Sequence, residues 1–409
     1  MRGASPARQA AARSGRAAAP TTSMRTTSIR TRLCVLLLLQ QLTALAAGMA
    51  VNPPTSTASA VGMRLPVDPH ASHEAAQLLD RLRTIARSDA FIFGHHNTNS
   101  QGQSWSDSTG RLRRSDVATA TGVFPGMWGY NLASVATGKT NYSGLVTAMR
   151  AQAKGAVLHM FWEAGNPATG GSANDLTGSP ITAILPGGSA NARWVQWMDN
   201  VADFFLAVDV PAAIFRPFHE NTGAWFWWGT NASTPEQYRA AWNYTTDYIV
   251  KTRGVHTILL AYAPSKPTQS KATWDLAYGD GAGSLYPGDD RVDIACFDNY
   301  GAGDYSQTLL QDCEAVVGFA SAKGKVPAIC ESGVKQGTQN TNISSWFMSA
   351  FLDPVVTSSA CARVAFTYTW RNSKPDSYWV PLQGQATWES FVEFERSPHT
   401  IFAGDARLL

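Results

Sequence analysis

Eight short apolar runs, each separated from the next by a stretch of helical character, constrain this chain more than any other feature of it. The runs fall at 91–96, 122–130, 155–162, 212–215, 257–262, 292–297, 326–330 and 364–370. Near-continuous apolar strands of this kind are buried on both faces, as in a parallel sheet covered by helices. Ala75, Leu78, Leu79, Leu82 and Ile85 recur at helical spacing before the first run, and helices are expected at 114–120 and 143–153 before the second and third. Trp194, Trp197, Met198, Val201, Phe204 and Phe205 share one helical face before the fourth. After it, Thr234-Pro235-Glu236-Gln237 supplies an N-cap, a proline at N1 and a glutamine at N3, so a helix is expected from there to about Lys251. Polar and aromatic residues gather just past the strand ends. The pattern predicts an α/β fold, a (β/α)₈ TIM barrel with its site at the C-terminal mouth. The rival is a doubly wound open sheet, but the glycine-rich phosphate loop expected after the first strand of a nucleotide-binding sheet is absent.

The fourth run delivers Phe215-Arg216-Pro217-Phe218-His219-Glu220 into a loop containing Gly223-Ala224-Trp225-Phe226-Trp227-Trp228-Gly229. A single Trp is more often core than platform, and a lone His-Glu pair is more often structural than catalytic. Packing alone gives no reason to set an acid and three indoles together after an apolar strand. Flat apolar faces beside one carboxyl suit a sugar ring and the acid that cleaves its bond. The seventh run ends in Ile329-Cys330-Glu331-Ser332-Gly333, so Glu220 and Glu331 would project into one mouth from different sides. Two carboxyls facing across a cleft are what glycoside hydrolysis requires, with retention at a separation of ~5 Å and inversion at roughly 6.5–9.5 Å.

Of the chain's 409 residues, 1–47 carry seven Arg and no Lys, Asp or Glu, so the formal charge of +3 becomes 3 − 7 = −4 for the remainder. A mildly acidic protein with no basic stripe has no nucleic-acid signature. The Leu-rich stretch 33–47 follows Arg30 and Arg32 and ends in small residues, the layout of a secretory signal. We therefore expect a signal and leader at 1–47, a linker at 48–70 and one catalytic domain at 71–409, secreted, monomeric and free of the membrane once the signal is removed. Cys296, Cys313, Cys330 and Cys361 form an even set compatible with two disulfides in any of three pairings, and their spacing matches no zinc pattern. Sequons at Asn141, Asn231, Asn243 and Asn342 fit a secreted glycoprotein.

The fourth-run motif from Arg216 to Glu220, with the glycine- and tryptophan-rich loop after it, resembles the acid/base segment of glycoside hydrolase family 26, whose best-known members are endo-β-1,4-mannanases. Tyr286-Pro287-Gly288-Asp289-Asp290-Arg291-Val292-Asp293-Ile294-Ala295-Cys296-Phe297-Asp298-Asn299-Tyr300 resembles that family's sixth strand. Glu331-Ser332-Gly333 resembles its nucleophile segment, and residues 366–372, including Trp370-Arg371, its eighth strand. The likeness runs from about 75 to 404. It implies a retaining barrel hydrolase with Glu220 as acid/base and Glu331 as nucleophile. It also implies that Tyr300 holds Glu331, that Arg216 keeps it charged, that His219 contacts substrate or the neighbouring acid, and that Trp225 and Trp370 stack on sugar rings. Trp162 and Glu163 end the third strand and are counted with the substrate-binding residues.

Two departures bear on specificity. The family's third strand commonly ends in Trp-His, where this chain has Trp162-Glu163, and Asn131 stands at the end of the second strand where an acid is expected. If Glu163 points inward it adds a third acid to the cleft and raises a neighbouring carboxyl's pKa. The expected activity is cleavage of β-1,4-mannosidic bonds in mannan, galactomannan or glucomannan. The alternatives are β-1,3-xylan or mixed-linkage β-glucan hydrolysis on the same machinery, or a non-catalytic sugar-binding barrel, which would be expected to have lost one of the two glutamates. The partner is a polysaccharide, and no cofactor is required, since two carboxyls and a water complete the reaction.

Overall fold

In the computed structural model, which describes residues 65–208 and 210–409, the apolar runs become eight parallel strands. They are β1 Phe91–His96, β2 Met127–Asn131, β3 Val157–Trp162, β4 Ala213–Pro217, β5 Ile258–Tyr262, β6 Ile294–Gly301, β7 Val326–Val334 and β8 Phe366–Thr369. Each pairs with the next, and β8 returns to β1 with Ile92 opposite Phe366 and His95 opposite Thr369. The sheet is therefore closed, which excludes the open doubly wound alternative and establishes the (β/α)₈ barrel. The expected signal segment lies outside the described residues, as does the linker up to position 64. Residues 65–70 dock on the barrel, the Val67 amide donating to Asp293 Oδ1 (2.8 Å) and Asp68 meeting His256 Nδ1 (2.7 Å).

Period-two alternation sorts every strand into two faces. On β3, Leu158, Met160 and Trp162 join the large cluster between barrel and helices, while Val157 belongs to a separate interior cluster with Ile214, Leu259, Ile294, Val326 and Tyr368. Helix His73–Ile85 is capped by the Ser72 hydroxyl, and its Ala75, Leu78, Leu79, Leu82 and Ile85 belong to that same interior cluster. The helix thus closes the N-terminal end of the barrel, leaving the C-terminal end for chemistry. The helix that starts at Pro235 has the expected capping box, and after Asp247 it passes into a π-helical turn over Tyr248–Thr252.

Several strand ends shift by one or two residues from expectation and β6 runs on to Gly301 rather than ending at Phe297; two further differences have a local cause. The run at 122–130 is strand only from Met127, because Pro125 has no amide proton to give to a ladder. The run expected to end at Cys330 continues to Val334, and it does so through a bulge. Cys296 pairs with Ala328 and Phe297 with Ile329, but Asp298 pairs with Glu331. The extra residue, Cys330, lies in the interior cluster, so two consecutive side chains face inward and Glu331 is turned into the mouth. Cys330 bonds Cys296 and Cys313 bonds Cys361, one of the three pairings the sequence allowed.

Candidate active site

The end of β4 is built to hold a strained loop. Arg216 points inward, Phe218 outward into the aromatic core, and both Phe218 (φ +50°) and Glu220 (φ +55°) lie in the left-handed region that bulky residues rarely adopt. The surroundings over-determine this conformation. The Glu220 amide donates to the Ala263 carbonyl (2.6 Å), Tyr238 Oη to the Phe218 carbonyl (3.0 Å), and Trp228 Nε1 to the His219 carbonyl (2.8 Å). Of the three indoles that offer flat apolar faces in the sequence, Trp225 alone is expected to stack on sugar. Trp227 and Trp228 are fully buried and only Trp225, at 43% exposure, reaches the surface. The two buried indoles fix the loop instead, Trp227 through Nε1 to the Ala164 carbonyl (2.9 Å). Trp225 Nε1 donates to Glu220 Oε2 (2.9 Å) and so orients that carboxyl.

Glu331 is gripped from three sides. Arg216 donates from Nη2 to Glu331 Oε1 and from Nη1 to Asp298 Oδ2 (2.7 Å), Tyr300 Oη donates to Glu331 Oε2 (3.0 Å), and His96 Nε2 lies 3.5 Å from Oε1. Arg216, Asp298 and Glu331 are all buried. Burial alone would raise the Glu331 pKa, but the Arg216 guanidinium, then His96, hold it well below the usual carboxylate range. Glu220 goes the other way: burial, then the Glu331 charge, push it up to about 8, with Glu163 adding to the rise. One carboxyl is thereby kept protonated and the other ionised in one mouth. Burial, then Arg216, lowers His219 to about 3, so its imidazole is neutral.

Ligand atoms of His219, Asp298 and Glu331 lie within 4.8 Å of one another, close enough to suit a cation. The Arg216 guanidinium already bonds both carboxylates, and a divalent ion would have to compete with it. Nothing in this donor set calls for a metal.

Glu163 faces the mouth: burial, then Glu331, raise its pKa, with Arg371 and Arg216 opposing. Its amide is held by Asn131 Oδ1 (3.1 Å), which gives the unexpected Asn131 a structural use. Trp370 stands at the rim, 5.1 Å from the His96 ring, with the Arg371 guanidinium 4.8 Å above its face. Trp162 is a correction. It stacks on Trp194 at 4.5 Å, nearly parallel, behind the barrel wall. A strand without a bulge sends neighbouring side chains to opposite faces, so with Glu163 in the mouth Trp162 is core. His96 and Asp298 were missed as site residues.

A family model described as glycosyl hydrolase family 26 matches residues 67–351. A mannan endo-1,4-β-mannosidase of Bifidobacterium adolescentis is 27% identical over 370 residues, covering 81% of this chain and 35% of that protein. This chain thus spans about a third of that relative's length. Among solved structures, an endo-β-1,4-mannanase double mutant from Cellulomonas fimi is 30% identical with a TM-score of 0.75, covering 84% of this chain and 79% of that one. A family 26 β-mannanase from Bacteroides ovatus is 29% identical with a TM-score of 0.71, covering 82% and 96%. The matched segment takes in β1 to β7, and with them both glutamates and the arginine between β4 and β7; the chain belongs to glycosyl hydrolase family 26.

Proposed function

We propose that the chain is an endo-acting β-1,4-mannanase that retains anomeric configuration, with Glu220 as acid/base and Glu331 as nucleophile. The observation that carries this is the placement of two carboxyls in one mouth, Glu331 on β7 bonded by Arg216 and Tyr300 and Glu220 beyond β4 bonded by Trp225, with burial and the neighbouring charges pushing the pKa of Glu220 up and that of Glu331 down. Glu331 attacks the anomeric carbon as the glycosidic C–O bond breaks, and Glu220 gives its proton to the leaving oxygen. Once Glu331 has become an ester, its charge no longer raises the Glu220 pKa. Glu220 can then stay ionised, take a proton from water, and direct the hydroxide to the same carbon as Glu331 leaves. Trp225 and Trp370 flank the path as sugar-stacking faces, and Glu163 accepts from sugar hydroxyls. The leader at 1–47 and the two disulfides support action outside the cell.

The purified protein is expected to release sized oligosaccharides from galactomannan and glucomannan, with the first product seen by NMR in the β configuration. Cleavage confined to xylan or mixed-linkage glucan, or an α first product, would remove this assignment. Activity requires a protonated Glu220 and is lost as pH rises through its pKa, so kcat/KM is expected to fall above about pH 8. Because the ionised Glu163 carboxyl raises Glu220, Glu163→Gln is expected to bring that alkaline limb to lower pH. A pH–rate profile checks both, and an unmoved limb in Glu163→Gln would show that the third acid is not coupled to the first.

A further inference from the structure

Behind Glu331, inside the barrel, lies a set of polar side chains that the proposed reaction does not use. His96 at the end of β1, His159 on β3 and Tyr368 on β8 are all essentially without exposure. Neither ring nitrogen of His96 or His159, nor the Tyr368 hydroxyl, makes a regular hydrogen bond among the described residues. Orphaned polar atoms this deep are rare and call for an explanation. The rings of His96 and Tyr368 are 4.3 Å apart. Both polar ends approach Gly129 of β2 without bonding one another, and an added Cβ there would fall 2.6 Å from Tyr368 Oη and 2.8 Å from His96 Nδ1. Only glycine leaves that space open.

The opposite nitrogen of His96 faces the nucleophile candidate, with Nε2 lying 3.5 Å from Glu331 Oε1, long for a hydrogen bond. Such contacts often tighten only when substrate is bound. The groups facing His96 are Glu331 from β7, Arg216 from β4, His219 beyond β4, Arg371 beyond β8, Tyr368 from β8, His159 from β3 and His95 on its own strand. Burial, opposed by Glu331 and assisted by Arg216 and Arg371, lowers the His96 pKa to about 4, so the ring is neutral with one N–H and one lone pair. A lone pair on Nε2 would face the carboxylate's own lone pairs, so the proton belongs on Nε2. Nδ1 is then an acceptor. The donor poised beside it is Tyr368, whose hydroxyl keeps its proton because burial raises its pKa.

We propose that Tyr368, acting across Gly129, fixes His96 as the Nε2–H tautomer, and that His96 is thereby a positioning residue which donates to Glu331 and keeps it ionised. This rests on Glu331 being the nucleophile. Without the tyrosine hydroxyl the imidazole can take the other tautomer and present a lone pair to Glu331, which then binds its proton more tightly. Glu331 has other supports in Arg216 and Tyr300, and other carboxyls in reach at Glu163, Glu220 and Asp298. The relay therefore tunes it rather than creating its charge.

The test is the acidic limb of kcat/KM for mannan oligosaccharides in the full protein, measured for wild type, Tyr368→Phe, His96→Gln and the double variant. Wild-type Glu331 is checked first as the residue labelled by a 2-deoxy-2-fluoro-mannosyl fluoride. Tyr368→Phe removes one hydroxyl and leaves the buried ring in place, so folding is retained. It is expected to move the acidic limb up by about one pH unit and lower kcat/KM about tenfold, with KM within about twofold. His96→Gln carries an amide donor that has no tautomer to lose, so adding Tyr368→Phe to it is expected to move the limb no further. An unmoved limb in Tyr368→Phe, or additive effects in the double variant, would overturn the relay while the label on Glu331 left the nucleophile intact. Absence of label at Glu331 in wild type would overturn both.

Discussion

Glu331→Ala is expected to lower turnover on mannan by on the order of 10⁴-fold or more, because it removes the group proposed to form the covalent intermediate and not merely a binding contact. The bulge at Cys330 and the bonds from Arg216 and Tyr300 place this carboxylate inside the mouth with both oxygens held. Asp298, its neighbour on β6, cannot replace it there, being held on the other arm of the same guanidinium. Truncation also leaves Arg216 Nη2 and Tyr300 without their acceptor, at a cost of ~1–3 kcal/mol in stability. A thermal melt is therefore needed beside the kinetics. Glu331→Gln keeps the shape and separates the two effects, since it should be comparably inactive while melting closer to wild type. Azide added to Glu331→Ala is expected to restore part of the turnover and yield the α-mannosyl azide, as a small anion enters the space left below the anomeric carbon. Near-normal rates in the alanine variant, with no azide dependence, would refute the nucleophile role.

The barrel was legible because a strand covered on both faces must be apolar almost throughout, and eight such runs separated by helices leave few architectures. Glu220 and Glu331 were legible because each stands just past such a run. Side-chain direction was not legible from aromatic content. Three indoles in one loop offer the same flat faces, yet Trp227 and Trp228 turn inward to bond the Ala164 and His219 carbonyls. For Trp162 the signal existed, since strand alternation forbids it from sharing a face with Glu163. Asp298 could likewise have been found from Tyr300, two residues further along the same face of β6. His96 had only the weak signal of a histidine pair ending the first run. The bulge at Cys330 had none, because it depends on the register between β6 and β7 and not on local sequence.

Arg216→Met is expected to be the most destabilising change in the mouth, and its cost should grow as pH rises from acid to neutral. The guanidinium is wholly buried and bonds Asp298 and Glu331 at once. Breaking a buried pair of this kind costs ~3–5 kcal/mol, or a melting point lower by roughly 5–15 °C. In wild type, Arg216 depresses the Glu331 pKa, so that contribution to stability is present above the unfolded carboxylate's pKa and lost as pH falls below it. In the variant only His96, His219 and Tyr300 still oppose burial at Glu331, and Asp298, which burial already raises in wild type, loses its counter-charge, so both carboxyls titrate higher than they do beside the guanidinium. Relative to wild type, their contribution to stability is then greatest in acid and falls as pH rises towards neutral. The deficit relative to wild type is accordingly expected to be larger at pH 7 than at pH 4, and melts at the two values measure it. Equal deficits would mean that the carboxylates are not held by this arginine. Arg216→Lys supplies one point charge where a fork is needed to reach two acids. It should recover part of the stability and little of the turnover, because only the bidentate geometry leaves Glu331 ionised and aimed at the sugar.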